Sequence, residues 1–294
     1  MGTLLKISYR EVIKAMSGNR TLALTKKFLA YFLITLGSLT MIIPFLWMIS
    51  TALKEPGQVF KMPPVWIPNP VVWTNFRRAW TSLPFALFSS NSFKIALLGT
   101  VGTLFSCSWA AYAFARLRFP GKDVLFAIIL ATMMIPGQIT MIPIFIVMKS
   151  LGWYDTHLPL WVPHFFGSAF GTFLLRQFFS SLPTDLDDAA KIDGCNPFQI
   201  YWKIFLPLSK PALATLGVLT FLGSWNNLLG PVIYLKTIEK FTLMIGLSFF
   251  QGQYVTDFSL LMAGSLISLL PIIMLYIVAQ KYFVQGIALT GIKG

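Results

Sequence analysis

The chain has 294 residues, 56% of them hydrophobic and 11% charged, with a mean hydropathy of +0.71. Soluble domains carry about 45–50% apolar and about 25% charged residues, so a soluble globular chain is excluded, as are a disordered chain and a disulfide scaffold. The net charge of +13 fits cationic loops beside anionic membrane lipid; no basic cluster interleaved with aromatics points to nucleic acid.

Residues 1–27 form a polar basic segment, and residues 28–294 read as one membrane domain. The first apolar run, Phe28 to Ile49, carries no charge and at ~1.5 Å per residue spans about 33 Å, the thickness of the hydrocarbon core. It exceeds the about 7–15 apolar residues of a signal peptide, which predicts an uncleaved helix. The loop 54–91 holds Trp66, Trp73 and Trp80 among six prolines. It is expected to be irregular, with short amphipathic helices at the outer interface. Five further runs follow: Phe93–Ala115, Val124–Met148, Leu158–Phe179, Pro211–Tyr234 and Leu260–Phe283. Pro136 and Pro143, Pro159 and Pro163, and Pro271 interrupt or bend three of them. Gly167-x-x-x-Gly171 has the small-residue spacing of close helix packing. The expected fold is therefore all-α, with six transmembrane helices.

Six spans put both termini on one side. With that side in the cytoplasm, inner segments hold 15 Lys and Arg and outer segments 8, so positive charge favours cytoplasmic termini. Catalytic chemistry is not indicated. No phosphate cradle of the Walker type is present, His157 and His164 lack nearby ligand partners for a metal, and there is no Gly-x-Ser-x-Gly elbow. The span interiors are almost free of Asp, Glu, Lys and Arg, which argues against an ion-coupled transporter or a charge-lined channel.

The polar loop 180–210 carries the clearest local signals. Thr184 or Asp185 suits an N-cap, and Asp187 and Asp188 fall in the first turn, where negative charge meets the helix dipole. Gly194 suits a left-handed end, Asn196-Pro197 starts a second helix, and Pro207 is expected to stop it. Phe198, Ile200, Tyr201, Trp202, Ile204 and Phe205 give that second helix an apolar surface. Either the protein's own helix ends or a soluble partner would cover it.

Asp188-Ala189-Ala190, three residues, Gly194, nine residues and Ile204-Phe205-Leu206-Pro207 resembles the E-A-A-x(3)-G-x(9)-I-x-L-P loop of permease subunits in binding-protein-dependent ABC importers. Asp188 stands where that loop usually has Glu. Trp225-Asn226-Asn227-Leu228-Leu229-Gly230-Pro231 resembles the W-N-E-[FL]-x-x-P stretch of the sugar-transporting branch, with Asn227 in place of the acid. Arg116-Leu117-Arg118-Phe119-Pro120-Gly121 and the end Phe283-Val284-Gln285-Gly286 through Gly291-Ile292-Lys293-Gly294 resemble two more of its motifs. The resemblance is closest to the six-helix, maltose-type second permease.

The resemblance implies a type I importer fold in a bacterial cytoplasmic (inner) membrane. The partners implied are a second permease forming a heterodimeric pore, two copies of an ABC ATPase and an extracytoplasmic solute-binding protein. ATP and magnesium would belong to the ATPases, with no cofactor in this chain. Asp185, Asp188, Ala189, Ala190, Asp193, Gly194, Phe198, Tyr201, Ile204 and Pro207 would form the ATPase-coupling element. Trp225, Asn226 and Asn227, with Gln138 and His164, are candidates for a sugar pathway, since aromatic faces and amides suit neutral sugars. Each could equally serve packing or backbone hydrogen bonding. The alternatives are a permease for a non-sugar solute and a non-transporting membrane scaffold.

Overall fold

The computed structural model describes the backbone of residues 2–252 and 256–290 and the side chains of 24–252 and 256–281. The cations of residues 1–23 and the terminal motif from Phe283 lie outside the described side chains. Residues 1–72 and 73–294 form two compact units.

In the first unit, α1 runs from Gly2 to Ala52 with its one proline at Pro44. The basic segment and the first apolar run are thus continuous helix, because no proline separates them. Beyond Ala52 the chain is irregular apart from a 3-10 turn at Pro56–Gln58. It is held by side-chain bonds: Ser50 Oγ donates to the Trp66 carbonyl at 2.6 Å and Gln58 Nε2 to the Asn69 carbonyl at 2.7 Å. The Trp47 and Trp66 rings meet edge to face at 5.0 Å.

The second unit begins with α2 (Thr74–Thr81) and α3 (Phe85–Arg116). Next come α4 (Lys122–Thr132), α5 (Gly137–Ser150), α6 (Leu158–Trp161), a 3-10 segment Val162–Phe166 and α7 (Ala169–Ser181). The polar loop contributes α8 (Asp185–Ile192), α9 (Pro197–Ile200), a π-helical turn Tyr201–Phe205 and α10 (Leu206–Leu208). Then follow α11 (Lys210–Trp225), α12 (Leu229–Tyr234), a 3-10 turn Ile238–Lys240, α13 (Leu243–Ser248) and α14 (Phe258–Thr290).

The long helix α3 is central, packing on α7, α11 and the 3-10 segment before α7. Close approach is built from small residues. A Cβ on Gly102 would sit 2.4 Å from the Phe165 ring, and one on Gly171 would sit 2.8 Å from Cys107 Sγ. α11 also packs against α14.

Four helical stretches among the described residues are long and apolar enough to cross a membrane: Leu24–Ala52, Phe85–Arg116, Leu158–Ser181 and Phe258–Lys281. Two bent pairs bring the number to six if each is one span. They are Lys122–Thr132 with Gly137–Ser150, bent by 98°, and Pro197–Leu208 with Lys210–Trp225, bent by 76°.

Four local expectations are corrected. α3 starts at Phe85 rather than Phe93, since Phe85 and Phe88 are fully buried against Phe250 and Phe241. The fifth apolar run is broken after Trp225, so its motif spans a helix end rather than a continuous helix. Pro207 does not stop the helix at its own position: helical backbone continues from Pro197 through the π-helical turn, whose Leu206 amide bonds to the Tyr201 carbonyl, as far as Leu208, and the chain turns at Ser209. Gly167, at φ +97°, precedes α7, so Gly167 and Gly171 do not share one helical face.

Candidate functional site

The 184–205 stretch is organised by caps. The Thr184 carbonyl accepts from the Asp187 and Asp188 amides at 2.9 and 3.3 Å, but its hydroxyl makes no cap bond. Asp185, Asp187 and Asp188 occupy the first turn of α8. At the other end Gly194 has φ +78°. Its amide bonds to the Lys191 carbonyl at 3.0 Å, and the Cys195 amide reaches the Ala190 carbonyl at 2.9 Å. These two bonds make a Schellman turn, which requires a residue tolerant of positive φ. Asn196 and Gln199 then form a reciprocal capping box with bonds of 2.8 and 2.9 Å.

α8 has an inner and an outer face. Asp187 and Ala190 are buried, while Asp185, Asp188, Ala189, Ile192, Asp193 and Gly194 are exposed. Among the described residues Asp188 pairs only with Lys191, at 3.1 Å on the surface. The apolar residues beyond Gly194 divide in the same way. Ile200, Tyr201 and Phe205 join a core with Cys107, Ala111, Tyr112, Leu175 and Phe179, and Ile204 packs partly against it. Tyr201 Oη lies 2.8 Å from Ser108 Oγ. Phe198 and Trp202 stay 56% and 55% exposed with their rings stacked. Of the two covers left open by the sequence, the protein's own helices take Ile200, Tyr201 and Phe205, while Phe198 and Trp202 keep exposed faces. Tyr201, expected at the partner joint, belongs to the protein's own core.

Arg116, at the end of α3, lies beneath this loop. Its guanidinium pairs with Asp187 at 3.3 Å and donates to the carbonyls of Phe179 at 2.7 Å and Leu182 at 2.5 Å. It also stacks over the Phe205 ring at 4.8 Å. The sequence marks Asp187 as a first-turn acid and Arg116 as the start of a family motif, but does not pair them. The available signal was an arginine at the end of an apolar run facing three aspartates in another loop.

A second feature lies among α3, the 3-10 segment and α11. A cavity of about 410 Å³ is lined by Thr103, His164, Ser168, Thr220, Ser224 and Asn227, with Phe170, Leu216 and Leu219 as its apolar part. His164 Nδ1 is 2.9 Å from Thr103 Oγ1, and its ring fits because Gly99 has no side chain. Asn227 Oδ1 also accepts from the Gly230 amide at 3.0 Å. Of the five pathway candidates, His164 and Asn227 reach this cavity. Trp225 does not: it is 2% exposed, stacks on Phe221 and donates from Nε1 to the Ser268 carbonyl at 3.2 Å. It packs α11 onto α14 instead. Asn226 and Gln138 are exposed and do not line the cavity.

At the other end of α3, Asp155 ties two loops together. It adopts φ +54°, a conformation short polar side chains tolerate. Its carboxylate accepts from the amides of Lys236 and Thr237 at 2.9 Å each, accepts from Thr237 Oγ1 and pairs with Lys240 at 3.0 Å. Asn91 Nδ2 donates to the carbonyls of Glu239 and Phe241 at 2.9 and 3.0 Å, and the Leu243 amide donates to Ser92 Oγ at 2.8 Å. The Thr237 bonds, then those from Lys236 and Lys240, hold the Asp155 carboxyl well below the usual carboxylate range.

Residues 102–289, which include the capped loop and most of the cavity, match the family described as binding-protein-dependent transport system inner membrane component. The chain belongs to this family. It is 35% identical over 256 residues to a probable ABC transporter permease of Bacillus subtilis, covering 85% of this chain and 83% of that one. An arabinooligosaccharide transport system permease of the same organism is 39% identical over 204 residues, 69% of this chain and 72% of its own. An sn-glycerol-3-phosphate transport system permease of Yersinia pestis is 33% identical over 265 residues, covering 87% and 94%. A solved bacterial ABC transporter involved in import of the acidic polysaccharide alginate superposes with a TM-score of 0.74 at 27% identity, over 87% of this chain and 95% of that chain. This inner membrane component is thus a multi-pass transport permease, and the family gives the capped loop and the cavity a common context.

Proposed function

We propose that this permease, with six spans, is one half of a heterodimeric pore in an ATP-driven importer of a neutral sugar or oligosaccharide. Both termini and the 180–210 loop face the cytoplasm in this reading. Two ATPase subunits dock there, a solute-binding protein delivers from the opposite side, and ATP and magnesium belong to the ATPases. The observation that carries the reading is the capped α8. One face is anchored to the bundle, the other presents Asp185, Asp188, Ala189 and Ile192 outward, and Phe198 and Trp202 stand exposed beside it. A short rigid helix with an unpaired outer face suits a lever worked by a soluble partner.

The cavity supports the solute class. Its lining offers hydroxyls, one imidazole, one amide and one aromatic ring, with no Lys or Arg. Hydroxyl-rich neutral solutes match such a lining, whereas a phosphate or carboxylate calls for a cation. This favours the arabinooligosaccharide relative over the glycerol phosphate relative as the guide to chemistry.

The test is affinity purification from native membranes in mild detergent, followed by uptake in proteoliposomes. Retention of an ATPase and a second permease is expected, with Asp188→Ala reducing ATPase retention. Asn227→Leu should cut uptake of a neutral oligosaccharide while leaving the complex assembled. Recovery of the chain alone under conditions that preserve other membrane complexes would replace the importer with a scaffold. Selective uptake of a phosphorylated solute would favour the non-sugar permease.

A further inference from the structure

We infer that Arg116 is the positioning residue through which movement of α8 reaches the membrane bundle. The inference rests on the proposed docking of an ATPase on the outer face of α8. Four elements meet on this one guanidinium: the end of α3 that carries it, the last turn of α7 and the residue after it through the Phe179 and Leu182 carbonyls, α8 through Asp187, and the π-helical turn through the Phe205 ring. Its side chain is 7% exposed and that of Asp187 is 12% exposed.

The inner face of α8 explains why this contact matters. Only Asp187 and Ala190 are buried along the helix. A methyl group against a core resists approach, but it resists neither sliding nor rotation. An ion pair fixed by two backbone carbonyls resists both, because the planar guanidinium sets the direction of each bond. Separating the pair would leave a charge buried without its partner, so α8, α3 and α7 favour moving as one body. Lysine could not reproduce the arrangement, since its three donors share one nitrogen, whereas here Nη2 serves two carbonyls and Nη1 faces the carboxylate. The neighbouring Asp188 makes the contrast: it faces outward, is paired among the described residues only with Lys191, and is free to meet a partner.

The test uses the assembled importer in detergent, with a cysteine reporter in the cavity (Ser224→Cys in a Cys195→Ser background). Maleimide labelling is compared with and without ATP and vanadate, alongside ATPase retention and hydrolysis. In the parent complex, ATP and vanadate should change labelling severalfold. With Asp187→Asn the ATPase should remain bound and hydrolyse ATP, while the labelling change falls about tenfold, inside the roughly two- to thirtyfold range of coupling carried by one contact. Asp187→Glu should restore most of the change and Arg116→Lys only part of it.

An undiminished labelling change in both Asp187→Asn and Arg116→Lys would overturn the inference. So would loss of assembly in Asp187→Asn and Asp187→Glu alike, which would make the pair a folding element. No labelling change in a parent complex that hydrolyses ATP would leave no movement to transmit. Failure of the parent chain to retain any ATPase would remove the docking reading and this inference with it, whereas loss confined to the variants overturns this inference and leaves the docking reading standing.

Discussion

At the Arg116 end of α3 the chain is shaped mainly by short-range devices. Gly194, Asn196, Pro197 and Gln199 set the turn and the second helix within a few residues of one another, and Arg116 and the Tyr201–Ser108 contact then tie the finished element to the bundle. At the Asn91 end the order is reversed. The 235–242 loop has one 3-10 turn of its own and is held from outside by Asp155, Asn91 and Ser92. The first end has a rigid element with a free face; the second has a loop pinned from several sides. A lever needs the former, whereas a fixed rim around a pore needs the latter.

The comparison is broken most strongly at Asp155. Asp155→Ala removes the acceptor for two amides, a hydroxyl and an ammonium in one step. Since the group is partly exposed, water replaces some of these bonds, and a local loss of about 2–3 kcal/mol is expected. Hydrogen exchange of the permease in nanodiscs should show faster exchange at 235–242 and no change at 185–205. Equal acceleration at both ends would show that the two loop systems are not independent.

Gly194→Val is the counterpart at the other end. A Cβ there meets no neighbouring atom, so the cost is conformational, about 1–2 kcal/mol for a left-handed residue, and higher for a β-branched one. Uptake per ATP hydrolysed should fall, and Gly194→Asn should be milder because Asn tolerates the same backbone region. Equal effects of Val and Asn would remove the positive φ as the cause. Asn196→Ala is smaller still: losing half the capping box costs about 1 kcal/mol, visible as faster exchange of the Phe198 and Gln199 amides and nowhere else.

These differences explain what the sequence revealed. The left-handed end at Gly194 and the Asn196-Pro197 helix start were legible because each is encoded by residue types at fixed short spacings, while the return bond from Gln199 that completes the capping box was not read. The apolar runs were legible because membranes impose length and hydropathy. Helix breaks after Trp225 and before Gly137 were marked by turn-prone Asn and by Pro136, yet their angles depend on packing. The start of α3 was missed because Phe85 to Ser92 mixes Phe with Ser and Asn, and the serine that looks like a loop signal accepts from the Leu243 amide. Trp225 was misjudged because an aromatic beside two amides suggests sugar binding equally well whether it faces a cavity or, as here, a neighbouring helix. Arg116–Asp187 and Asp155–Thr237 join distant segments, and no period or local motif encodes such a pairing.

The smallest effect expected is that of mild acid, and its sign follows from Asp155. Its folded-state carboxyl is held below the ordinary range, so its contribution to loop stability is fully present above the unfolded value of about 3.9 and is lost only as pH falls through the lower folded value. Between pH 8 and pH 5 the carboxylate therefore stays charged and the 235–242 loop stays pinned. Limited proteolysis of that loop, normalised to the protease's own pH dependence, should be unchanged across this window in the parent chain. In Asp155→Asn it should be faster at every pH, because the neutral amide keeps the shape but gives up the charge facing Lys240. A loop that loosened in the parent between pH 6 and pH 5 would mean that a group other than Asp155 sets its hold.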